Sequence, residues 1–316
     1  LCRSSAASDV YKRQEFQFTK AHGYMDERKA IQITQKLFPG LRPWKHLPLT
    51  RILSPTTKTN NFTRPVVVLN FKPVSQLSPE DRGKIEFLNL PKVQKLLSSS
   101  IEFTQHHSYS VHPMTHFLAL FFSHPSMKRH QNEFSFPFPK LGGLSNALFK
   151  KYEFNYFSSE KIKKQNWRDF LKFNHLEYNH IPLSGSESYW ENIDLWMQNL
   201  SNYLKNEGQS EKSQFSYIDF PKFSPPSSQD IIGKSLDQYY FEQFLRSISL
   251  ILTKFEEEGL FQDCLYVFTG QFGISEVVRS ALDPNYFHVP LFIFDPLVDR
   301  QKKINKLSSH LDLSLI

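Results

Sequence analysis

The sequence predicts an α/β fold, a three-layer α/β/α sandwich around a mostly parallel sheet, and three observations carry that prediction. Short, uninterrupted apolar runs rich in β-branched and aromatic residues recur along the chain, the pattern of strands covered on both faces. Stretches of helical period lie between them, so strand and helix alternate. At 316 residues, 40% hydrophobic and 15% aromatic, the chain also has the apolar content for one large packed core.

The elements follow in order. The first fourteen residues, LCRSSAASDVYKRQ, have the character of a translated sequencing adapter and are set aside from the fold. Residues 15–60 read as a polar lead-in with one helix, Met25–Leu37, closing in a Ser/Thr/Asn-rich stretch. The domain proper occupies 61–316. It begins with Val66–Phe71, a β-branched run bounded by Pro65 and Pro73 and read as a buried parallel strand. Tyr152–Phe157, Phe215–Phe220, Leu265–Thr269 and Val289–Phe294 are the further strands. Leu90–Leu97, Met114–Phe122 and Leu141–Lys150 are read as short helices. A stripe of 3.6 period through Trp190, Ile193, Met197, Leu200 and Leu204 marks a longer one. A second stripe runs from Tyr240 to Phe255 and stops at Gly259, a fitting C-cap. Val66–Phe71 and Leu265–Thr269, uninterrupted in their apolar character, are expected to be neighbouring or near-neighbouring buried parallel strands.

Composition excludes several function classes. The formal charge is +7, or +5 without the first fourteen residues, and the basic residues are scattered. The one cluster, Lys161–Lys164, reads as a solvated face, so no nucleic-acid partner is expected. Cys2 and Cys264 are the two cysteines, and Cys264 has no partner within the domain, so no disulfide framework is expected. The longest apolar stretch, Phe117–Phe122, is far short of the roughly 20 residues a spanning helix needs. No membrane segment is expected in this stretch of chain.

Candidate chemistry concentrates just past the strand ends, where ligands collect in open α/β sheets. The segment Gly259–Gly273, GLFQDCLYVFTGQFG, runs from a turn through an apolar strand to Thr269, Gly270, Gln271 and Phe272. Six of the twelve histidines, His106, His107, His112, His116, His124 and His130, fall within 25 residues. His112 and His116 have i,i+4 spacing but no glutamate between them as a metalloprotease motif requires. These histidines are read as surface and helix-start residues.

Several blocks, in order over residues 61–316, resemble the sulfatase-like branch of the alkaline phosphatase superfamily. The lipoteichoic-acid-synthase and phosphoglycerol-transferase group is the most similar. PVVVLNFKPVS, from Pro65 to Ser75, is similar to the family's first strand, with Lys72 in the place of its metal-binding glutamate. SVHPMTHFLALFFSHP, from Ser110 to Pro125, resembles the nucleophile loop and helix, with Pro113 in the place of the nucleophilic threonine. The Leu141–Tyr156 and Asn166–Phe173 stretches resemble the family's middle section. FSYIDFPKFSP, from Phe215 to Pro225, puts Phe223 where the family has a histidine that contacts substrate. In Gly259–Gly273 the family's aspartate-histidine pair is replaced by Gln271 and Phe272. His288–Pro296 and Ser309–Leu313 are similar to the closing strand and the following helix; the family continues beyond the position of Ile316, which implies a domain truncated at its C-terminus.

The resemblance implies that Lys72, Pro113, Gln271 and Phe272 converge at the carboxyl ends of the strands. Lysine is a cation, proline and phenylalanine offer no side-chain lone pair, and a glutamine amide oxygen is a weak donor to a divalent ion. No metal cofactor is therefore expected. The implied function is a catalytically silent domain kept as a binding or structural module, membrane-anchored and extracytoplasmic, with an anionic ligand or a protein as partner. The alternative is a hydrolase or transferase acting on phosphate or sulfate esters, with Ser110 or Thr115 as hydroxyl nucleophile; neither has an identifiable base. Lys72 itself is read as reaching solvent and capping its strand, with a buried ammonium in the cation's place as the other reading.

Overall fold

β1 (Val66–Phe71) is apolar along nearly its whole length and lies inside the sheet, as its composition demands. In this computed structural model the described residues are 64–85, 89–108, 113–122, 148–163, 165–185, 188–207, 212–260, 262–273, 287–298 and 301–310. After β1 come α1 (Pro79–Arg82), α2 (Pro91–Ser99), β2 (Ser100–Phe103), β3 (His106–His107) and α3 (Pro113–Phe122). Next are β4 (Tyr152–Ser158), α4 (Gln165–Phe173), β5 (Leu176–His180), α5 (Tyr189–Glu207) and β6 (Ser213–Asp219). The last elements are α6 (Leu236–Glu257), β7 (Leu265–Gly270), β8 (Leu291–Phe294), β9 (Lys302–Ile304) and β10 (Ser308–Ser309). The expected helix Met25–Leu37 and most of Leu141–Lys150 lie outside the described residues.

Eight strands form one sheet in the order β5-β4-β6-β1-β7-β8-β2-β9, and β10 pairs with β3 in a small second sheet. The five strands from β5 to β7 are mutually parallel, and β8 runs antiparallel to both its neighbours. β1 and β7 are adjacent, in register from Val66 opposite Leu265 to Phe71 opposite Gly270, as expected from their apolar character.

Alternation along the strands divides the core in two. Val67, Leu69 and Phe71 face a cluster built with α2, α5 and α6, where Trp196, Phe244 and Ile248 are fully buried. Val68, Phe154, Tyr156, Phe215 and Tyr217 face the other side, against α3 and α4. Three layers result, as predicted. α6 starts on a reciprocal capping box between Ser235 and Gln238 and ends before Gly259, whose φ of +66° gives the left-handed turn expected there.

The sequence pattern misses β2 and the two-residue β3 and β10, and it also misses the outermost strands β5 and β9. Both lie at the sheet edges, where one side is solvated and polar residues are tolerated, so neither shows an apolar run. The last expected strand starts at Leu291 and not Val289, because Pro290 has no N–H for the ladder. Among the described residues no helix is long and apolar enough to cross a membrane.

Candidate functional site

The last inward-facing residues of the central strands are polar on one face only, the face covered by α3. Counting in steps of two from Phe215 and Tyr217 reaches Asp219; from Tyr156, Ser158; from Val68, Asn70; from Val267, Thr269. All four are buried. A polar floor thus forms at the carboxyl ends of β4, β6, β1 and β7.

Lys72 follows β1 and drops its side chain into this floor. Its Nζ donates to Asp219 Oδ2 at 2.8 Å and lies 3.1 Å from Glu160 Oε1. Asp219 is held in turn by Asn70, whose Nδ2 donates to Oδ1 at 3.0 Å, and by the Ser158 hydroxyl at 3.4 Å. Lys72 is only 3% exposed, which corrects the reading that it reaches solvent and caps the strand. Burial works against its charge, but Asp219 and then Glu160 outweigh burial and hold the pKa above the ordinary lysine value.

Three of the other replaced positions, Gln271, Phe272 and Phe223, are tied by backbone hydrogen bonds to the Phe71–Val74 segment that carries Lys72. The Gln271 N–H donates to the Phe71 carbonyl at 2.7 Å, the Phe272 carbonyl accepts from Val74 N–H at 2.8 Å, and the Phe223 N–H donates to the Lys72 carbonyl at 3.0 Å. Residues 200 positions apart are thereby stitched into one strand-end cluster. Gln271 is fully buried, and the Ser108 hydroxyl donates to its carbonyl. Phe223 is 1% exposed and packs 6.1 Å from Phe71 and 6.0 Å from Phe220, so its ring belongs to the core. Pro113 begins α3 and Thr115 lies in its first turn; their side chains, and Ser110, lie outside the described residues.

Gly270 permits this approach of the segments. A Cβ there would meet Val74 Cγ1 at 2.7 Å, Val289 Cβ at 3.0 Å and the Val74 carbonyl oxygen at 3.1 Å. Gly270→Ala is expected to cost about 1–3 kcal/mol by overpacking, read as a lower urea midpoint at unchanged m-value.

The histidines depart most from expectation. His106 and His116 are buried, not surface residues, and meet His310: the His106–His310 ring centroids are 4.8 Å apart and His116–His310 4.2 Å. His310 Nε2 lies 3.1 Å from the Thr269 hydroxyl. Burial first, then His310 and the Lys72 ammonium, lower the pKa of His116 well below the ordinary histidine value. His112, His124 and His130 lie outside the described residues. Sequence reasoning passed over Asp219, although a carboxylate in phase with Phe215 and Tyr217 on a strand covered on both faces requires a buried partner.

Neither a protein-family description nor a curated protein sequence matches the chain. Solved structures do. The lipoteichoic acid synthase LtaP from Listeria monocytogenes is 12% identical, with a TM-score of 0.58 over 84% of this chain and 75% of its own. A protein in the alkaline phosphatase superfamily from Vibrio parahaemolyticus is 14% identical, with a TM-score of 0.57 over 93% and 74%. The chain has the alkaline-phosphatase-superfamily fold. The C-terminal periplasmic domain of EptC from Escherichia coli, solved in complex with Zn, is similar at 9% identity, with a TM-score of 0.52 over 81% of both chains. The strand-end cluster around Lys72 is therefore placed on a scaffold shared with a synthase and a zinc-bound periplasmic domain.

Proposed function

We propose that this is a catalytically silent domain of the sulfatase-like, phosphoglycerol-transferase-like type, kept as a binding or structural module. The observation that carries the reading is the buried Lys72–Asp219 pair at 2.8 Å. A tethered ammonium neutralises the carboxylate at the strand ends, in the region where the resemblance puts a divalent cation. The donor set does not fit such an ion: Phe272 has no lone pair, Lys72 is itself a cation, and Gln271 offers only an amide. Among the described residues, no three His, Cys, Asp or Glu side chains form a group suited to holding a metal.

Ester transfer on such a scaffold needs a cation to activate the nucleophile and to neutralise the transferring group. Without it, the domain's use is to be recognised. Asp219 and Glu160 already neutralise Lys72, which argues for a protein partner over an anionic ligand at this spot. An extracytoplasmic, membrane-anchored setting is part of the proposal, by likeness to LtaP and the periplasmic domain of EptC.

The test is metal content and turnover together. After dialysis against buffer with zinc, manganese and magnesium, elemental analysis is expected to find well under one ion per chain. No chelator-sensitive release of p-nitrophenol from phosphate monoester, phosphodiester or sulfate ester is expected. Chelator-insensitive hydrolysis abolished by Ser110→Ala or Thr115→Ala would overturn the silent reading in favour of an ester hydrolase with an unconventional nucleophile.

A further inference from the structure

Five histidines meet where the small sheet closes over the strand ends. β3 contributes His106 and His107, α3 contributes His116, His288 precedes β8, and His310 follows β10. His107 and His288 form an isolated bridge and stack with centroids 5.0 Å apart. His106 and His116 each stand edge to face with His310, at interplanar angles of 73° and 81°. The contact between β3 and β10 is short: Ser308 and Ser309 pair with His106 and His107, the Ser308 N–H donates to the Gln105 carbonyl at 3.0 Å, and His106 Nδ1 lies 3.0 Å from Ser308 Oγ.

The surroundings suit neutral rings. The groups acting on His106 are the imidazoles of His310, His107 and His288; those acting on His116 are His310, the Lys72 ammonium and His106. His107 and His288 face each other and the Gln105 and Thr104 carbonyls. His310 faces Thr269 and the Gly270 carbonyl. Both ring nitrogens of His116 and Nε2 of His106 have no hydrogen-bond partner among the described residues. A proton added to either ring creates a buried cation with no acceptor, beside other bases and, for His116, beside an existing cation.

We propose that this histidine layer is an acid-released latch: its neutral rings hold β10 on β3 over the carboxyl ends of the sheet, and protonation frees β10. Burial, with the neighbouring imidazoles and Lys72, depresses His106 and His116 well below the usual histidine range, and burial takes His310 down to about 3. The sign follows from these depressed values. Above the ordinary histidine pKa, closed and open states bind equally few protons. As pH falls below about 6.5, the rings protonate only when the latch is open, so acid favours opening. Between pH 6 and 5 each exposed ring multiplies the open population by about 8, so two give about 60-fold and three about 500-fold. A two-residue pairing is the kind of local structure that opens without global unfolding. The latch is independent of whether the domain is catalytically silent.

Native-state hydrogen exchange on the whole chain between pH 7.5 and 5, corrected for intrinsic rates, tests this. Protection of the Ser308 amide is expected to fall at least about 60-fold from pH 6 to 5, while that of Phe220, bonded to the Asn70 carbonyl in the sheet, does not. His116→Phe, which keeps an aromatic ring and removes one titrating group, is expected to reduce the drop by about 8-fold. Should that variant fail to fold, ring-proton NMR titration of the unmodified chain replaces it: His106 and His116 are expected to stay neutral below pH 5.5 until they titrate together with loss of the Ser308 protection. Protection at Ser308 independent of pH, an unchanged slope in His116→Phe, or independent titration of both rings near 6.5 would overturn the latch.

Discussion

Asp219→Ala is expected to destabilise the domain by about 3–5 kcal/mol, the cost of leaving a buried charge without its partner. Lys72 Nζ would keep only Glu160, which is 60% exposed at the rim, and Asn70 would lose the acceptor for its Nδ2. Glu160→Ala, by contrast, removes the screened member of the network and is expected to cost under about 1 kcal/mol. The asymmetry decides which carboxylate matters. The double change Lys72→Met with Asp219→Leu removes both charges together and is expected to recover most of the loss, because a buried ion pair replaced by apolar groups of similar volume is often neutral. Urea unfolding of the three variants reads all of this. Equal losses for Asp219→Ala and Glu160→Ala would mean that the ammonium is solvated and that the strand-end floor is not a desolvated site.

What the sequence reveals and conceals here follows from range. β1 and β7 are legible because a strand covered on both faces must be apolar at every position, a local property that needs no knowledge of the neighbour. That Gln271 and Phe272 come beside the end of β1 is something the resemblance supplies and the backbone hydrogen bonds agree with, whereas the Pro113 side chain lies outside the described residues. The burial of Lys72 is not legible: its partner lies 147 residues away, and a lysine after a strand reads equally well as a solvated cap. Half of the signal was nonetheless local, since Asp219 falls on the same alternation as Phe215 and Tyr217. His116 carried a similar clue. It sits in MTHFLALFF, a helix apolar on nearly every side, and a helix of that kind is buried whatever single polar residue it contains. His106 gave no such warning, because its burial depends on β10, 202 residues on.

Restoring the family's ligands should convert the site from ammonium-filled to metal-dependent. The quadruple change Lys72→Glu, Pro113→Thr, Gln271→Asp and Phe272→His puts a carboxylate at position 72, beside Asp219 and Glu160, and removes the cation that neutralises them. Without metal the variant is expected to be less stable than the parent by about 3 kcal/mol or more, since Asp219 is then a buried charge facing like charges. With zinc or manganese at a hundredfold excess over its dissociation constant, about 2.7 kcal/mol of that loss is expected to return, seen as a concentration-dependent rise in unfolding midpoint that the parent does not show. Turnover is not expected to follow, because Phe223 fills the core against Phe71 where the family resemblance calls for a histidine facing substrate. A variant that folds but whose midpoint ignores divalent ions would show that position 72 does not face positions 271 and 272 with ligand geometry. The ammonium in this domain would then be an unrelated core ion pair and not a replacement for a lost metal.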